Sequence, residues 1–167
     1  MNKLVKLSMV AILAVMANGA KAETSVSANG KATVKVRKGL AVEEKTNMDF
    51  ATVTLGTGAG TVAVSKTGAL TPSGDYSTAR TGSAGVFDIT GPANQALTVS
   101  YENGVLKSTA AGATEIPVAV SGDASITTSD VGAASLTVTG ELSFKGTEAD
   151  ADYTTEFGTP YKVTVSY

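Results

Sequence analysis

Leu136-Thr137-Val138-Thr139-Gly140-Glu141-Leu142-Ser143-Phe144 alternates large apolar side chains with polar ones across nine positions of this 167-residue chain. A β-strand points successive side chains to opposite faces, so the even-numbered residues of this run would share one apolar face. The odd-numbered residues are all polar and would face away from the core. The run therefore predicts a long half-buried strand, with Gly140 as a bend or bulge in its middle.

Shorter runs with the same period of two follow one another along the chain. Clusters of Gly, Pro, Ser, Asn and Asp separate them, and no window repeats with the 3.6-residue period of a helix. This pattern predicts an all-β fold, a single immunoglobulin-like β-sandwich of about seven to nine strands. The residues that define these runs are Val62 and Val64; Phe87 and Ile89; Leu97, Val99 and Tyr101; and Ile116, Val118 and Val120.

Three connecting segments carry further signals. Asn103-Gly104 predicts a two-residue β-hairpin, because both central residues of a type I′ turn need positive φ. Residues 56–60 (GTGAG) resemble a dinucleotide-binding loop, but residues 61–64 (TVAV) read as a strand, whereas phosphate binding needs a helix N-terminus there. We therefore predict a turn at 56–60. Residues 68–85 are the least patterned and predict a long loop containing a weak strand.

Residues 1–22 have the features of a secretory signal peptide. Lys3 and Lys6 give a basic start, residues 7–17 form an apolar run too short to span a bilayer, and residues 20–22 (AKA) fit a small-x-small cleavage site. We therefore expect residues 23–167 to form one exported domain, located in the periplasm, at the cell surface or outside the cell. No second long apolar stretch follows, so we expect no membrane span in the mature chain.

The composition argues against several classes of partner and of catalytic chemistry. The formal net charge is −2, and the signal peptide removes three lysines and no acid, so the mature domain is more acidic still. Such a charge argues against nucleic acid as a partner. The sequence has no histidine and no cysteine, which excludes Ser-His-Asp and Cys-His catalysis and the usual zinc and copper ligand sets. With the acids dispersed, we expect no catalytic residue, no cofactor and no enzyme activity.

One acidic segment is a weak candidate for a metal site. Glu148, Asp150 and Asp152 place three carboxylates at alternate positions, and such hard oxygen ligands suit Ca²⁺. The segment lacks the glycine and the distal glutamate of the helix-loop-helix calcium pattern. The alternative is an acidic loop in solvent.

The segment after the cleavage site has an apolar residue or glycine at every even position from 26 to 36. Six residues on one face need a strand of eleven, about 35 Å long. Residues 23–36 are therefore a candidate long first strand, or two strands bent at Gly30, inside the domain. The other possibility is a donor strand that fills a groove in a neighbouring subunit. The residues of this face are Val26, Ala28, Gly30, Ala32, Val34 and Val36.

The C-terminal residues 161–167 (YKVTVSY) also alternate to the last position, with Tyr161, Val163, Val165 and Tyr167 on one face. They predict either an ordinary last strand or an edge that a chaperone or a neighbouring subunit covers. We expect the two patterned ends to lie together, within one chain or between two.

Five segments carry a resemblance to a known family. Residues 47–53 (NMDFATV) are similar to an "x-L-x-F-G-x-h" motif, where h is apolar, and residues 59–64 (AGTVAV) to "A-G-T-V-x-h". Residues 84–91 (AGVFDITG) resemble "x-A-x-F-x-V-x-G", followed by a strand at 97–99. Residues 163–167 (VTVSY) are similar to the "V-T-V-x-Y" end. In this order and spacing the motifs resemble the bacterial secreted domain of unknown function four-four-zero-two. Ala51 departs from the pattern, which has glycine there.

The resemblance implies an exported, pilin-like β-sandwich, similar in pattern to spore-coat-protein-U-like and chaperone–usher fimbrial subunits, and it brings no known activity. It favours a non-catalytic structural subunit of a cell-surface or fimbria-like assembly. Its partners would be further copies of itself or related subunits, with a periplasmic chaperone and an outer-membrane usher. The alternative is a self-complemented monomeric binding module, for example for carbohydrate. Such a module needs an exposed aromatic platform, for which Tyr76, Tyr101 and Tyr153 are the candidates.

Overall fold

The computed structural model describes residues 33, 34, 36 and 38–167. Within them the chain is all-β, with thirteen strands and no helix, as the alternating runs predict. Four of the thirteen span only two or three residues, and the other nine match the predicted number. The strands are β1 (Ala41–Thr46), β2 (Val53–Thr54), β3 (Gly60–Val64), β4 (Leu70–Pro72), β5 (Ser77–Thr78), β6 (Gly85–Thr90), β7 (Ala96–Glu102), β8 (Gly104–Lys107), β9 (Ile116–Ser121), β10 (Ser125–Thr127), β11 (Ala133–Phe144), β12 (Thr154–Thr159) and β13 (Lys162–Ser166).

The strands form a sandwich-like arrangement in which every strand pairing is antiparallel. The larger sheet has the order β1-β6-β11-β9-β8-β12, with β3 beside β11 and β4 beside β3. The second sheet has the order β10-β7-β13, and β2 pairs with β5. Buried side chains of both larger sheets, including Leu97 and Val99 of β7 and Ile89 of β6, form one hydrophobic core.

Strand β11 is the centre of the larger sheet. Its first half pairs with β6, and its second half lies between β3 and β9. Gly140 stands where the neighbour changes from β6 to β3, and the pairings of β11 show no register shift there, so the predicted bulge is absent. A side chain at Gly140 would collide with the sulfur of Met48 and approach the ring of Phe50. The glycine therefore admits these two side chains to the face of β11.

The predicted hairpin at Asn103-Gly104 is wrong. Strand β7 pairs with β10 and β13, whereas β8 pairs with β9 and β12, so the chain crosses from one sheet to the other at this point. Neither residue has positive φ. The Asn103 side chain accepts a hydrogen bond from the backbone N–H of Val120 (3.0 Å). Gly104 is needed because a Cβ there would meet the backbone of Thr159 and Tyr161 at 2.9 and 2.7 Å.

The other segments follow the sequence more closely. Residues 56–60 lead directly into β3, as predicted for a turn, and the weakly patterned stretch 68–85 contains the short strands β4 and β5. Of the segment predicted as donor or first strand, residues 23–32 and 35 lie outside the described residues. Thr33, Val34 and Val36 belong to no strand.

Candidate functional site

Strand β13 has one paired edge. Residues 162–166 pair with β7, from Lys162 opposite Glu102 to Ser166 opposite Thr98. No strand in the described part of the chain lies along the other edge. Val163 and Val165 are half-buried and pack against the core. The predicted C-terminal strand is therefore present and paired within its own domain, and its outer edge is open.

Strand β1 has the same character. It pairs only with β6 among the described strands, and all six of its residues are exposed. Leu40, two residues before Val42, packs against the core. Val42 itself is 38% exposed. Edge strands present unpaired N–H and C=O groups that can template pairing with another chain. Within the part of the chain that the structure describes, β1 and β13 thus each leave one strand edge unpaired.

Two tyrosines connect these edges. The hydroxyl of Tyr161 donates to Oε1 of Glu44 (2.7 Å), and that of Tyr167 donates to the carbonyl of Lys38. From 161 to 167 the chain advances six residues, while the partners go back six, from 44 to 38, so the two segments run antiparallel. Their backbones are not paired. We call the space they bound, between Ala41–Thr46 and Lys162–Ser166, the β1–β13 interval.

The Tyr161 end of the interval is held by packing as well as by the hydrogen bond. The Tyr161 ring meets that of Phe87 edge to face, with centroids 6.2 Å apart. Burial raises the pKa of the Tyr161 hydroxyl, and the hydrogen bond to Glu44 raises it further. The hydroxyl therefore stays protonated and remains a hydrogen-bond donor to Glu44.

A cleft of about 670 Å³ adjoins the interval at Tyr161 and Glu44. Its walls come from residues 47–53 and 149–155, and buried core residues lie at its floor. The half-buried apolar side chains of Met48, Phe50 and Leu106 also line it, so a further apolar side chain can be buried there. The core residues that line it are Phe87, Ile116, Val118, Leu142 and Phe144.

The charges that line the cleft all have the same sign. They are Glu44, Asp49, Asp150 and Asp152, and all four residues are exposed. In the part of the chain that the structure describes, none of the four forms an ion pair. The cleft therefore combines an apolar floor with an acidic rim.

The calcium candidates are not brought together. Glu148 is buried, and its carboxylate accepts hydrogen bonds from the backbone N–H groups of Lys145, Gly146 and Thr147 at 2.7–3.1 Å. Burial raises the pKa of Glu148, but these hydrogen bonds outweigh it and leave the pKa below its ordinary value. Asp150 and Asp152 are exposed. No group of three or more acidic side chains suited to a metal ion occurs among the described residues.

The two patterned ends have different outcomes. Val26, Ala28, Gly30 and Ala32 lie outside the described residues, so their part in a donor strand stays a prediction. Val34 and Val36 are 86% and 84% exposed. At the C-terminus, the residues on the predicted face are half-buried except Tyr167, which is exposed at 47%. Among the described strands the neighbour of β13 is β7, and Val36 belongs to no strand.

The tyrosines considered for a carbohydrate platform are not exposed. Tyr76 is 5% exposed and stacks on Phe144 (4.8 Å between centroids). Tyr101 is half-buried and donates to the carbonyl of Asp123 (2.8 Å). Tyr153 is half-buried, and its hydroxyl bonds the backbone of Ala149. These three side chains serve the fold and form no surface platform.

Sequence reasoning missed β1 and the role of Glu44. Residues 41–46 (AVEEKT) carry three charges in a row, which hides the alternation of a strand. Leu40 and Val42, spaced by two, are the weak signal that was present.

Among the described residues, no helix is long and apolar enough to cross a bilayer.

A family model described as Domain of unknown function (DUF4402) matches residues 40–167. The match begins one residue before β1 and extends past β13, so it includes both the β1–β13 interval and the cleft. No curated protein and no solved structure matches the chain.

Proposed function

The chain belongs to the DUF4402 family, which its motifs resemble, and we propose that it is a non-catalytic structural subunit of a bacterial cell-surface or fimbria-like assembly. In this assembly a strand from one copy completes the sandwich of the next. Export through the signal peptide of residues 1–22, and assembly with the help of a periplasmic chaperone and an outer-membrane usher, are parts of the same proposal.

The observation that carries this proposal is the β1–β13 interval. Each bordering strand has one unpaired edge among the described residues, and hydrogen bonds from Tyr161 and Tyr167 link the two segments at the ends of the interval. Paired strands lie about 4.8 Å apart and bond through their backbones. A strand entering the interval would find unpaired backbone groups on both sides, together with the half-buried Val163 and Val165.

The candidate occupant is residues 26–36 of a neighbouring copy. Their even-numbered side chains are apolar or glycine, as a strand that buries one face requires. The exposure of Val36 supports donation to another copy over insertion into the same chain. Burying each valine stabilises the assembly by roughly 1.5–3 kcal/mol, so several together would make dissociation very slow.

Removal of residues 23–30 tests the proposal. We expect the mature chain to run as a heat-sensitive ladder on a denaturing gel and to form filaments in negative-stain images. The deletion takes away half of the apolar face while leaving the described fold intact, so it should give a soluble domain without polymers. Polymers formed normally by this truncated chain would contradict strand donation.

A matched pair of point variants separates the two faces of the donor segment. Val34→Lys places a charge on the apolar face and should abolish the ladder. Thr33→Lys adds the same charge on the opposite face, which is already basic, and should leave it. Equal effects of the two substitutions would contradict a strand with one buried face.

A further inference from the structure

The cleft and the N-terminal segment have complementary chemistry. The cleft has an apolar floor, and the four carboxylates at its rim form no ion pair in the described part of the chain. Residues 31–37 (KATVKVR) alternate basic or polar residues with Ala32, Val34 and Val36. In an extended conformation, one face of this segment is apolar and the other carries the charges of Lys31, Lys35 and Arg37.

We propose that the cleft binds residues 31–37 of a second copy of this chain, and so fixes the direction of the donated strand. The inference rests on the proposed function and adds where each end of the donor lies. The apolar side chains enter the cleft, and the basic ones meet the acidic rim.

The direction follows from the position of the cleft. It adjoins the β1–β13 interval at Tyr161 and Glu44, the end where β13 begins and β1 approaches its C-terminus. A donor whose basic C-terminal part lies at this end runs antiparallel to β13 and parallel to β1. Its N-terminal part, around Val26, then lies toward Tyr167. Every strand pairing within the described chain is antiparallel, so the contact with β13 continues the pattern of that sheet.

The charge pattern also makes the contact selective. Three cations on the donor face four carboxylates on the acceptor, and none of the four has a cation partner in the described part of its own chain. Opposite potentials steer association and fix register, whereas like charges brought together oppose it. The cleft therefore favours a donor that carries cations at its C-terminal end.

Two charge-reversed forms of the full chain test this inference. The first carries Asp150→Lys with Asp152→Lys, which offsets the charges of Glu44 and Asp49, so its cleft no longer attracts its own type of donor. The second carries Lys31→Glu with Lys35→Glu, and its donor is repelled by an unchanged cleft. Each form alone should give roughly tenfold less polymer, or still less, than the wild type.

A mixture of the two forms should restore the polymers. The basic donor of the first form fits the unchanged acidic cleft of the second, and the acidic donor of the second meets the two introduced lysines in the cleft of the first. Restoration by mixing requires contact between copies. If only the combination of all four substitutions in one chain restores assembly, the segment binds within its own chain, and the inference is wrong.

The controls separate this inference from the proposed function. Asp130→Lys with Glu156→Lys changes the net charge by the same amount at exposed sites that do not line the cleft, and should assemble normally. If the wild type forms no polymers, the proposed function fails. If the wild type and both reversed forms assemble equally, the function stands and the cleft inference is overturned.

If circular dichroism shows that the first form does not fold, the salt dependence of the wild-type assembly rate tests the cleft inference instead. That rate should fall roughly tenfold between about 50 and 500 mM NaCl, and an unchanged rate overturns the inference.

Discussion

Ala51 has a left-handed backbone, with φ of 52°, at the position where the family pattern carries glycine. Its N–H bonds the carboxylate of Asp49 (2.8 Å), which holds the turn into the wall of the cleft. A side chain in this conformation meets the adjacent carbonyl oxygen, at a cost of roughly 1–2 kcal/mol. The departure from the family motif, visible in the sequence, therefore coincides with local strain.

We expect Ala51→Gly to stabilise the fold. Relief of the left-handed strain is offset by the greater entropy that glycine loses on folding, about 0.5–1 kcal/mol, so the net gain should be about 0.5–1 kcal/mol. Urea unfolding followed by circular dichroism measures it. Ala111→Gly, at an exposed position without positive φ, is the control and should give no gain. Equal effects of the two substitutions would contradict the strain argument.

Glu148 makes the stability of the fold depend on pH in the acidic range. Because its pKa is lower in the folded protein than the ordinary value of 4.5, the stabilisation is fully present above that value. It is lost as the pH falls through the folded pKa. Glu148→Gln should destabilise the fold at pH 7 by about 1.5–3 kcal/mol, since hydrogen bonds to a charged acceptor are lost and the new amide N–H₂ faces backbone donors.

The readout for Glu148 is the pH profile of the unfolding free energy. Below pH 4.5 the wild type should lose stability faster than Glu148→Gln, so the difference between them narrows. Asp130→Asn, which removes an exposed carboxylate, should follow the wild-type profile. A constant difference between wild type and Glu148→Gln from pH 7 to 3 would refute the role assigned to the carboxylate.

At the scale of the strands, a strand can be predicted from the sequence when one of its faces is buried and the other is exposed. The alternating runs in β6, β7, β9 and β11 predict those strands because one face is buried and the other is not. Strand β1 is exposed on every residue, so no selection for an apolar face marks it. Asn103-Gly104 misleads for another reason. Its local preference fits a hairpin, but β7 and β8 pair with strands distant in sequence, and such pairings cannot be read from a dipeptide.

The sheet crossing at Gly104 gives a prediction of its own. Gly104→Ala places a methyl group against the backbone of Thr159 and Tyr161, at the corner between β12 and β13, and should cost about 1–3 kcal/mol. Gly58→Ala is the matched control, because no atom lies within 4 Å of its added Cβ. Thermal unfolding of both variants measures the difference. A loss at Gly58 as large as that at Gly104 would show that steric contact is not the cause.

At the scale of the whole molecule, the sequence predicts less of the site than of the fold. Tyr161 and the valines of β13 are visible as a patterned end. The cleft is not visible, because its floor consists of core residues from β6, β8, β9 and β11 that lie far apart in the sequence. Likewise, the carboxylates at its rim come from two separate segments, and only the fold brings them to one opening. The match between rim and N-terminal segment thus depends on tertiary structure.

Strand donation places the N-terminal part of the donor segment of one copy beside β13 of another. The chain has no cysteine, so an introduced pair gives the only possible disulfide. Copies with Ala28→Cys, co-expressed with copies carrying Val163→Cys or Val165→Cys, should form an interchain disulfide, because adjacent strands bring Cα atoms within the roughly 7 Å that the bond requires. Phe157→Cys, exposed on β12, is the control acceptor and should stay unlinked. A disulfide to β13 and not to β12 is the predicted result, and coupling to both strands or to neither would contradict the account.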